Sequence, residues 1–269
     1  MVYEKKIRLC FIGNPNVGKS SLINRLLGAN KLKISKNPGT TKEITEIIHN
    51  CKNRGFILID TAGVYKKKNV DFINLTKAIK SCDIVILILE STIERLDRLN
   101  KRLVNYSLNN GKGLIVIFNK WDLIKNKKII KKKLTNIFKF SLTQIISAEI
   151  MFISALKDIR FNKIFELSKK IIETFNKKIQ TSRLNKWLNY VTKLNPPSKI
   201  KGKEIKFKYI TQIKNFPPTF IIFSNYSSKI ALTYKRFLEK KLKNFFKFGN
   251  IPIFIIFDST KNPYEKKNN

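Results

Sequence analysis

Gly13-Asn14-Pro15-Asn16-Val17-Gly18-Lys19-Ser20 is an instance of the pattern GxxxxGKS. Its glycines permit backbone conformations that other residues resist and leave room for a phosphate chain, so successive N–H groups can point inward at that chain. In this pattern the lysine, Lys19, reaches the β and γ phosphate oxygens, and the Ser20 hydroxyl serves as a magnesium ligand. The flanks agree with such a seat. Lys6 to Ile12 (KIRLCFI) reads as a buried strand and Ser20 to Leu27 (SSLINRLL) as a helix. A helix so placed aims its N-terminal N–H groups at the phosphates.

Working outward, 269 residues are long for one compact domain and about right for two. Hydrophobic residues make up 43% of the chain, ample for a packed core. No apolar run approaches the roughly 18 residues of a membrane span; Ile84 to Leu89 stops at Glu90, and Ile251 to Phe257 contains Pro252. The N-terminal lysines precede an apolar run that breaks at Gly13, which is not a signal peptide. Three scattered cysteines and one histidine encode neither a disulfide framework nor a zinc site. A cytoplasmic protein is expected. The charge stands out: 55 Lys and Arg against 18 Asp and Glu, a formal net charge of +37. A polyanionic partner is one explanation. A genome biased toward Lys, Asn and Ile is the other, and because both parts of the chain are basic, charge does not locate a contact surface.

Downstream, Ala29 to Lys42 (ANKLKISKNPGTTK) is polar, contains Pro38-Gly39, and offers Thr40 and Thr41 before a strand over Glu43 to His49. A threonine on a mobile loop can complete a magnesium shell only when a γ-phosphate is present. Gly55 to Ile59 (GFILI) reads as an interior strand that ends in Asp60-Thr61-Ala62-Gly63. An aspartate there sits at the ligand edge of an open α/β sheet. It can hold a magnesium-bound water, while the Gly63 N–H meets the γ-phosphate. After a strand over Ile84 to Leu89 and a charged helical stretch over Glu94 to Leu108, Gly113 to Phe118 (GLIVIF) leads into Asn119-Lys120-Trp121-Asp122. A carboxylate at Asp122 accepts two hydrogen bonds from guanine N1 and N2, donors that adenine lacks at those positions. Lys120 would lie along the purine face, and Asn119 would join this loop to the phosphate loop. Glu149 to Ile153 (EIMFI) reads as the sixth strand, after which Ser154-Ala155-Leu156 can present N–H groups to guanine O6.

Four signals in this order, each at the end of a strand, resemble the translation-factor-like branch of small GTPases. The Asn-Pro-Asn loop, the Gly-Thr-Thr switch and the Trp of Asn-Lys-Trp-Asp point to the Era, TrmE and EngA relatives, and the resemblance is closest to the EngA (Der) family. The C-terminal part carries this. A helix (Arg183 to Leu194) is followed by Asn195-Pro196-Pro197, a strand (Ile205 to Gln212), Asn215-Phe216-Pro217-Pro218 and a strand (Thr219 to Phe223). A helix from Ser227 to Phe246, a strand from Pro252 to Phe257 and Asn262-Pro263-Tyr264-Glu265 complete it. The order is similar to the KH-like domain of EngA proteins, without the GxxG clamp of a standard KH domain.

The resemblance implies an α/β fold: a P-loop GTPase domain over residues 1–178, mostly parallel sheet flanked by helices, then a small α+β KH-like domain over 179–269. It implies a GTP-hydrolysing switch in assembly of the large ribosomal subunit, with GTP or GDP, magnesium, and the subunit and its rRNA as partners; neither a membrane nor a DNA partner is expected. The nucleotide contacts implied are Gly13, Asn14, Pro15, Asn16, Val17, Gly18, Lys19, Ser20 and Ser21; Asp60, Thr61, Ala62, Gly63 and Val64; Asn119, Lys120, Trp121 and Asp122; and Ser154 and Ala155. Lys19, Asn16, Gly63 and Thr41 would act in catalysis, and Ser20, Asp60 and either Thr40 or Thr41 on magnesium. In relatives with an Asn at the position of Asn16, a potassium ion held partly by that Asn replaces an arginine finger. Val64 stands where many small GTPases carry a water-orienting glutamine, so slow intrinsic turnover is expected. Two other functions compete: a constitutive RNA-binding chaperone with a vestigial nucleotide site, and a TrmE-like tRNA-modification GTPase. EngA proteins carry two GTPase domains, whereas one phosphate loop is present here. The match is to the second of those domains plus the KH-like domain, either as a piece of a longer protein or as a reduced version.

Overall fold

A computed structural model describes residues 6–28, 34–35, 45–51, 54–61, 72–141, 148–157, 161–200 and 202–259. The chain divides into two compact units, Met1–Ile172 and Glu173–Asn269.

In the first unit, β1 (Ile7–Ile12) is buried at every position except Arg8. It leads through the phosphate-loop stretch into α1 (Lys19–Leu27), whose buried residues Lys19, Leu22, Ile23, Leu26 and Leu27 recur at helical spacing along one face. Then come β2 (Ile34–Ser35), β3 (Thr45–Cys51), β4 (Arg54–Asp60), α2 (Phe72–Ser81), β5 (Ile84–Glu90), α3 (Arg98–Asn109), β6 (Gly113–Asn119), α4 (Lys127–Ser141), β7 (Glu149–Phe152) and α5 (Asn162–Phe175). The sheet order is β2-β3-β4-β1-β5-β6-β7. β3 runs antiparallel to both β2 and β4, and the other pairings are parallel. β5 and β6 are apolar at nearly every position and buried almost throughout, because a parallel strand in mid-sheet is covered on both faces. The core around them collects Leu75 and Ile79 of α2, Leu103 and Val104 of α3, and Leu134 and Phe138 of α4.

This topology positions the site. The chain moves from β1 to β4 on one side and then crosses to β5 on the other, and ligands of open α/β sheets sit at the carboxyl ends of strands where the order so reverses. Gly13, Asp60, Glu90 and Asn119 all stand at such ends: Phe11 is in register with Asp60, and Glu90 with Asn119.

Three details of this unit differ from the sequence reading. The two-residue β2 adds an edge strand, so Glu149–Phe152 is the seventh strand of the sheet rather than the sixth. The charged stretch from Glu94 turns helical only at Arg98, because Asp97 adopts an extended backbone and caps α3 with its side chain. α2 and α4 were not assigned from sequence at all.

In the second unit, α6 (Thr181–Leu194) packs on a three-stranded sheet of β8 (Phe207–Lys214), β9 (Thr219–Ser224) and β10 (Phe254–Asp258), with α7 (Leu232–Phe245) between β9 and β10. β8 is antiparallel to β9, and β10 is parallel to it. The Asn185 side chain of α6 docks on β8, donating to the Ile210 carbonyl and accepting from the Ile210 N–H, both at 3.0 Å. The helix expected from Ser227 is a short 3-10 turn over Ser227–Lys229 followed by α7. Buried Ile230 and the extended Ala231 separate the two.

Candidate functional site

The loop between β1 and α1 folds tightly against the sheet. Gly13 has φ 144° and Gly18 φ 95°. A Cβ at Gly13 would lie 2.3 Å from the Ile88 carbonyl oxygen, and one at Gly18 would lie 2.3 Å from Asn119 Nδ2. Both positions therefore exclude any side chain. Asn16 holds φ 65°, a conformation asparagine tolerates better than most residues. Pro15, Asn16, Ser20 and Ser21 are exposed, while Val17 is buried. α1 starts at Gly18 with no side-chain cap, which leaves its N-terminus as an anion-favouring end.

Lys19 is only 5% exposed. Its Nζ donates to the carbonyl oxygens of Gly13 (2.9 Å) and Asn14 (2.8 Å). Burial pushes its pKa down to about 8, against the opposing pull of Asp60. Ser20 Oγ lies 3.4 Å from Asp60 Oδ2, so a hydroxyl from α1 and a carboxylate from β4 converge. An all-oxygen pair of this kind fits a hard cation such as magnesium. Thr61 is fully buried, and its hydroxyl donates to the Phe11 carbonyl at 2.6 Å, fastening the end of β4 to β1. Thr40, Thr41, Ala62, Gly63 and Val64 lie outside the described residues.

Asn119 joins three loops. It is 2% exposed; its Nδ2 donates to the Val17 carbonyl at 2.8 Å, and its Oδ1 accepts from the Ala155 N–H at 2.9 Å. The Ser91 hydroxyl and N–H both donate to the Asn119 carbonyl, at 2.6 and 2.9 Å. Lys120 has φ 60°, and its ammonium pairs with Glu90. Trp121 rests on Phe152 with ring centroids 4.7 Å apart, and its N–H donates to the Ile153 carbonyl at 3.1 Å. Asp122 then faces Ser154. The Ser154 hydroxyl holds the carboxyl below its ordinary pKa, burial opposes this, and Lys157 and Lys127 add to the lowering. The Asp122 carboxylate lies 4.0 Å from Lys157 Nζ.

The described residues of the four motifs thus meet at one edge of one sheet. A sequence-family model described as "50S ribosome-binding GTPase" matches residues 8–120, and another, described as "KH-domain-like of EngA bacterial GTPase enzymes, C-terminal", matches residues 178–257. GTPase Der of Caldanaerobacter subterraneus subsp. tengcongensis is 37% identical over 259 residues, 94% of this chain. These matches make the chain a relative of GTPase Der (EngA) over nearly its whole length. It spans 59% of the length of that Der relative, and 60% of a second, from Rickettsia canadensis, which is 35% identical over 268 residues and 96% of this chain. A crystal structure of Era in complex with MgGDPNP and a segment of 16S ribosomal RNA aligns over 96% of this chain and 95% of Era, with a TM-score of 0.48 and 19% identity.

Against this Der-family frame, two side chains of the site were not singled out from sequence. Glu90 is the last residue of an apolar strand, and its partnership with Lys120 depends on the β5–β6 register. Asp97 caps α3 and accepts a hydrogen bond from Asn14 Nδ2 at 2.8 Å across 83 residues of chain. A polar residue one position before a helix was the available signal for Asp97. Nothing local to Glu90 announced its partner.

Proposed function

We propose that this chain is a GTP-binding and GTP-hydrolysing switch that acts in the cytoplasm in assembly of the large ribosomal subunit, with a nucleotide-binding domain over 1–178 and a KH-like domain over 179–269. The observation that carries the reading is Asn119, one buried amide that bonds the phosphate loop at Val17 and the base-side loop at Ala155. A phosphate seat and a base pocket held at a fixed separation read a nucleotide as one object. The N–H groups of residues 13–21 other than Pro15, which has none, and the Lys19 ammonium bind the phosphates. Asp122 accepts from guanine N1 and N2, Ser154 and Ala155 face O6, and the Lys120 stem covers the purine.

Ser20 directly and Asp60 through water would hold magnesium, with Thr41 added in the GTP state; when bound, that ion neutralises charge on the phosphate oxygens. Hydrolysis is transfer of the γ-phosphoryl group to water. Lys19 and the loop amides, with Gly63, stabilise the charge that develops on the phosphoryl oxygens. Val64 offers no group to orient the water, so unassisted turnover is slow. Asn16 would hold a potassium ion beside the phosphates, which makes turnover faster in potassium than in sodium.

The partner contact is electrostatic. On α4, Lys127, Lys128, Lys131, Lys132 and Lys133 are exposed, and the helix has no acidic residue. Such a face suits an RNA backbone. The test is cosedimentation of the full chain with large-subunit precursors in GTP and in GDP, together with steady-state turnover in potassium and in sodium at constant ionic strength. Retention in GTP but not GDP is expected. Equal retention in both states would reject the switch.

A further inference from the structure

We propose that Asp97, outside the four nucleotide motifs, is a positioning residue for the phosphate loop: it holds Asn14, and through Asn14 one of the two carbonyl oxygens that seat Lys19. The inference rests on the nucleotide-site reading above. Its evidence is a division of labour between two carboxylate oxygens. Oδ1 accepts from the Asn100 N–H at 2.7 Å, the cap of α3. Oδ2 accepts from Asn14 Nδ2 at 2.8 Å and from Asn100 Nδ2 at 2.7 Å. A helix cap needs one acceptor oxygen, which serine supplies about as well as aspartate. The second oxygen is therefore surplus to capping, and it is the one that crosses to the loop.

Asn100 braces that oxygen. The residue is 1% exposed, and among the described residues its Oδ1 has no hydrogen-bond partner. Turning the amide over would set its oxygen against the carboxylate, so the observed orientation is the one that can bond. Both N–H groups of Asn100 named above point at Asp97, an arrangement that keeps the carboxylate from rotating away from Asn14. At the far end, the Asn14 carbonyl accepts from Lys19 Nζ at 2.8 Å. Asn14 is thus held by its side chain and itself holds the phosphate-binding lysine by its backbone. Releasing the side chain frees the loop segment on which Lys19 is seated.

The test compares the wild-type full chain with Asp97→Ser, Asp97→Asn, Asn14→Ala and the double variant Asp97→Ser/Asn14→Ala, using N-methylanthraniloyl-GDP with magnesium as the probe. Serine keeps the cap but is too short to reach Asn14. Asn at 97 keeps one accepting oxygen for the cap and turns an NH2 toward two other NH2 groups. Asp97→Ser and Asn14→Ala should each weaken probe binding about tenfold, ~1.4 kcal/mol, and the double variant should be no weaker than either single one. Asp97→Asn should be at least as weak as Asp97→Ser. Far-UV circular dichroism of Asp97→Ser should stay at the wild-type value, while its melting temperature should fall because the buried Asn100 Nδ2 loses its acceptor; the nucleotide coupling is what neither capping nor this loss produces. Wild-type affinity in Asp97→Ser, or losses that add in the double variant, would overturn the proposal. If Asp97→Ser does not fold, Asn14→Ala decides: unchanged binding there overturns it as well. Failure of the wild type itself to bind the probe would instead remove the nucleotide-site reading, and this inference with it.

Discussion

Raising the pH should release guanine nucleotide by discharging Lys19. Its ammonium is held by two carbonyl oxygens in a nearly solvent-free position, and burial brings its pKa to about 8 in the free folded chain. The unfolded chain keeps that proton to about 10.4. A group with a depressed folded pKa contributes stability that is present above the unfolded value and lost as pH falls through the folded one. The free chain should accordingly gain up to ~1.4 kcal/mol per pH unit from this group between about 8 and 10.4. Bound phosphate acts the other way, because its charge favours the ammonium, so binding takes up a proton. About nine-tenths of the free chains carry that proton at pH 7 and about one-tenth at pH 9, so GDP affinity should fall about tenfold over that span, ~1.4 kcal/mol. Calorimetric titrations with GDP and magnesium at pH 7, 8 and 9, each in two buffers of different ionisation enthalpy, measure the uptake directly. About half a proton per site is expected at pH 8, and none in Lys19→Ala. No uptake in the wild type, with affinity constant to pH 9, would refute the reasoning.

Asn119→Ala strands the Val17 carbonyl and the Ala155 N–H in the interior. At about 1–3 kcal/mol per buried unpaired group, denaturant unfolding should register a loss of about 2–6 kcal/mol; a loss below about 1 kcal/mol would mean that water reaches both groups. Asp122→Asn should move preference from GDP toward xanthosine diphosphate, since an amide donates where the carboxylate only accepts, and competition binding reads the ratio; an unchanged preference for GDP counts against Asp122 as the base reader. RNA binding should weaken steeply with salt, by a log–log slope of about −0.7 to −0.9 for each phosphate neutralised. Lys128→Glu with Lys132→Glu on α4 should flatten that slope in filter-binding titrations. A constant affinity between low and moderate salt would dismiss the basic-surface model.

Local chemistry determined much of this protein from sequence alone. The glycines and lysine of residues 13–20, the apolar runs that become β1, β4, β5 and β6, and the periodic apolar faces of α1 and α6 all encode their elements within a few residues, because burial pattern and backbone tolerance are near-neighbour properties. Asn119 and Asp122 were legible for the same reason, since a polar cluster directly after a buried strand must lie at a sheet edge. The helices α2 and α4 escaped that reading. In α4 the apolar face is Ile130, Leu134, Ile137 and Phe138 set among lysines that on their own read as a solvated charge run.

Tertiary structure decided the pairings between distant residues. Glu90 meets Lys120 because β5 and β6 align Glu90 with Asn119. Asp97 meets Asn14 because the loop before α3 comes down beside the phosphate loop. Lys19 acquires its depressed pKa only once the β1–α1 turn has closed over it. Hydrogen bonds and desolvation act over a few ångströms of space, and a linear chain does not display which of its distant polar groups will be brought within that range.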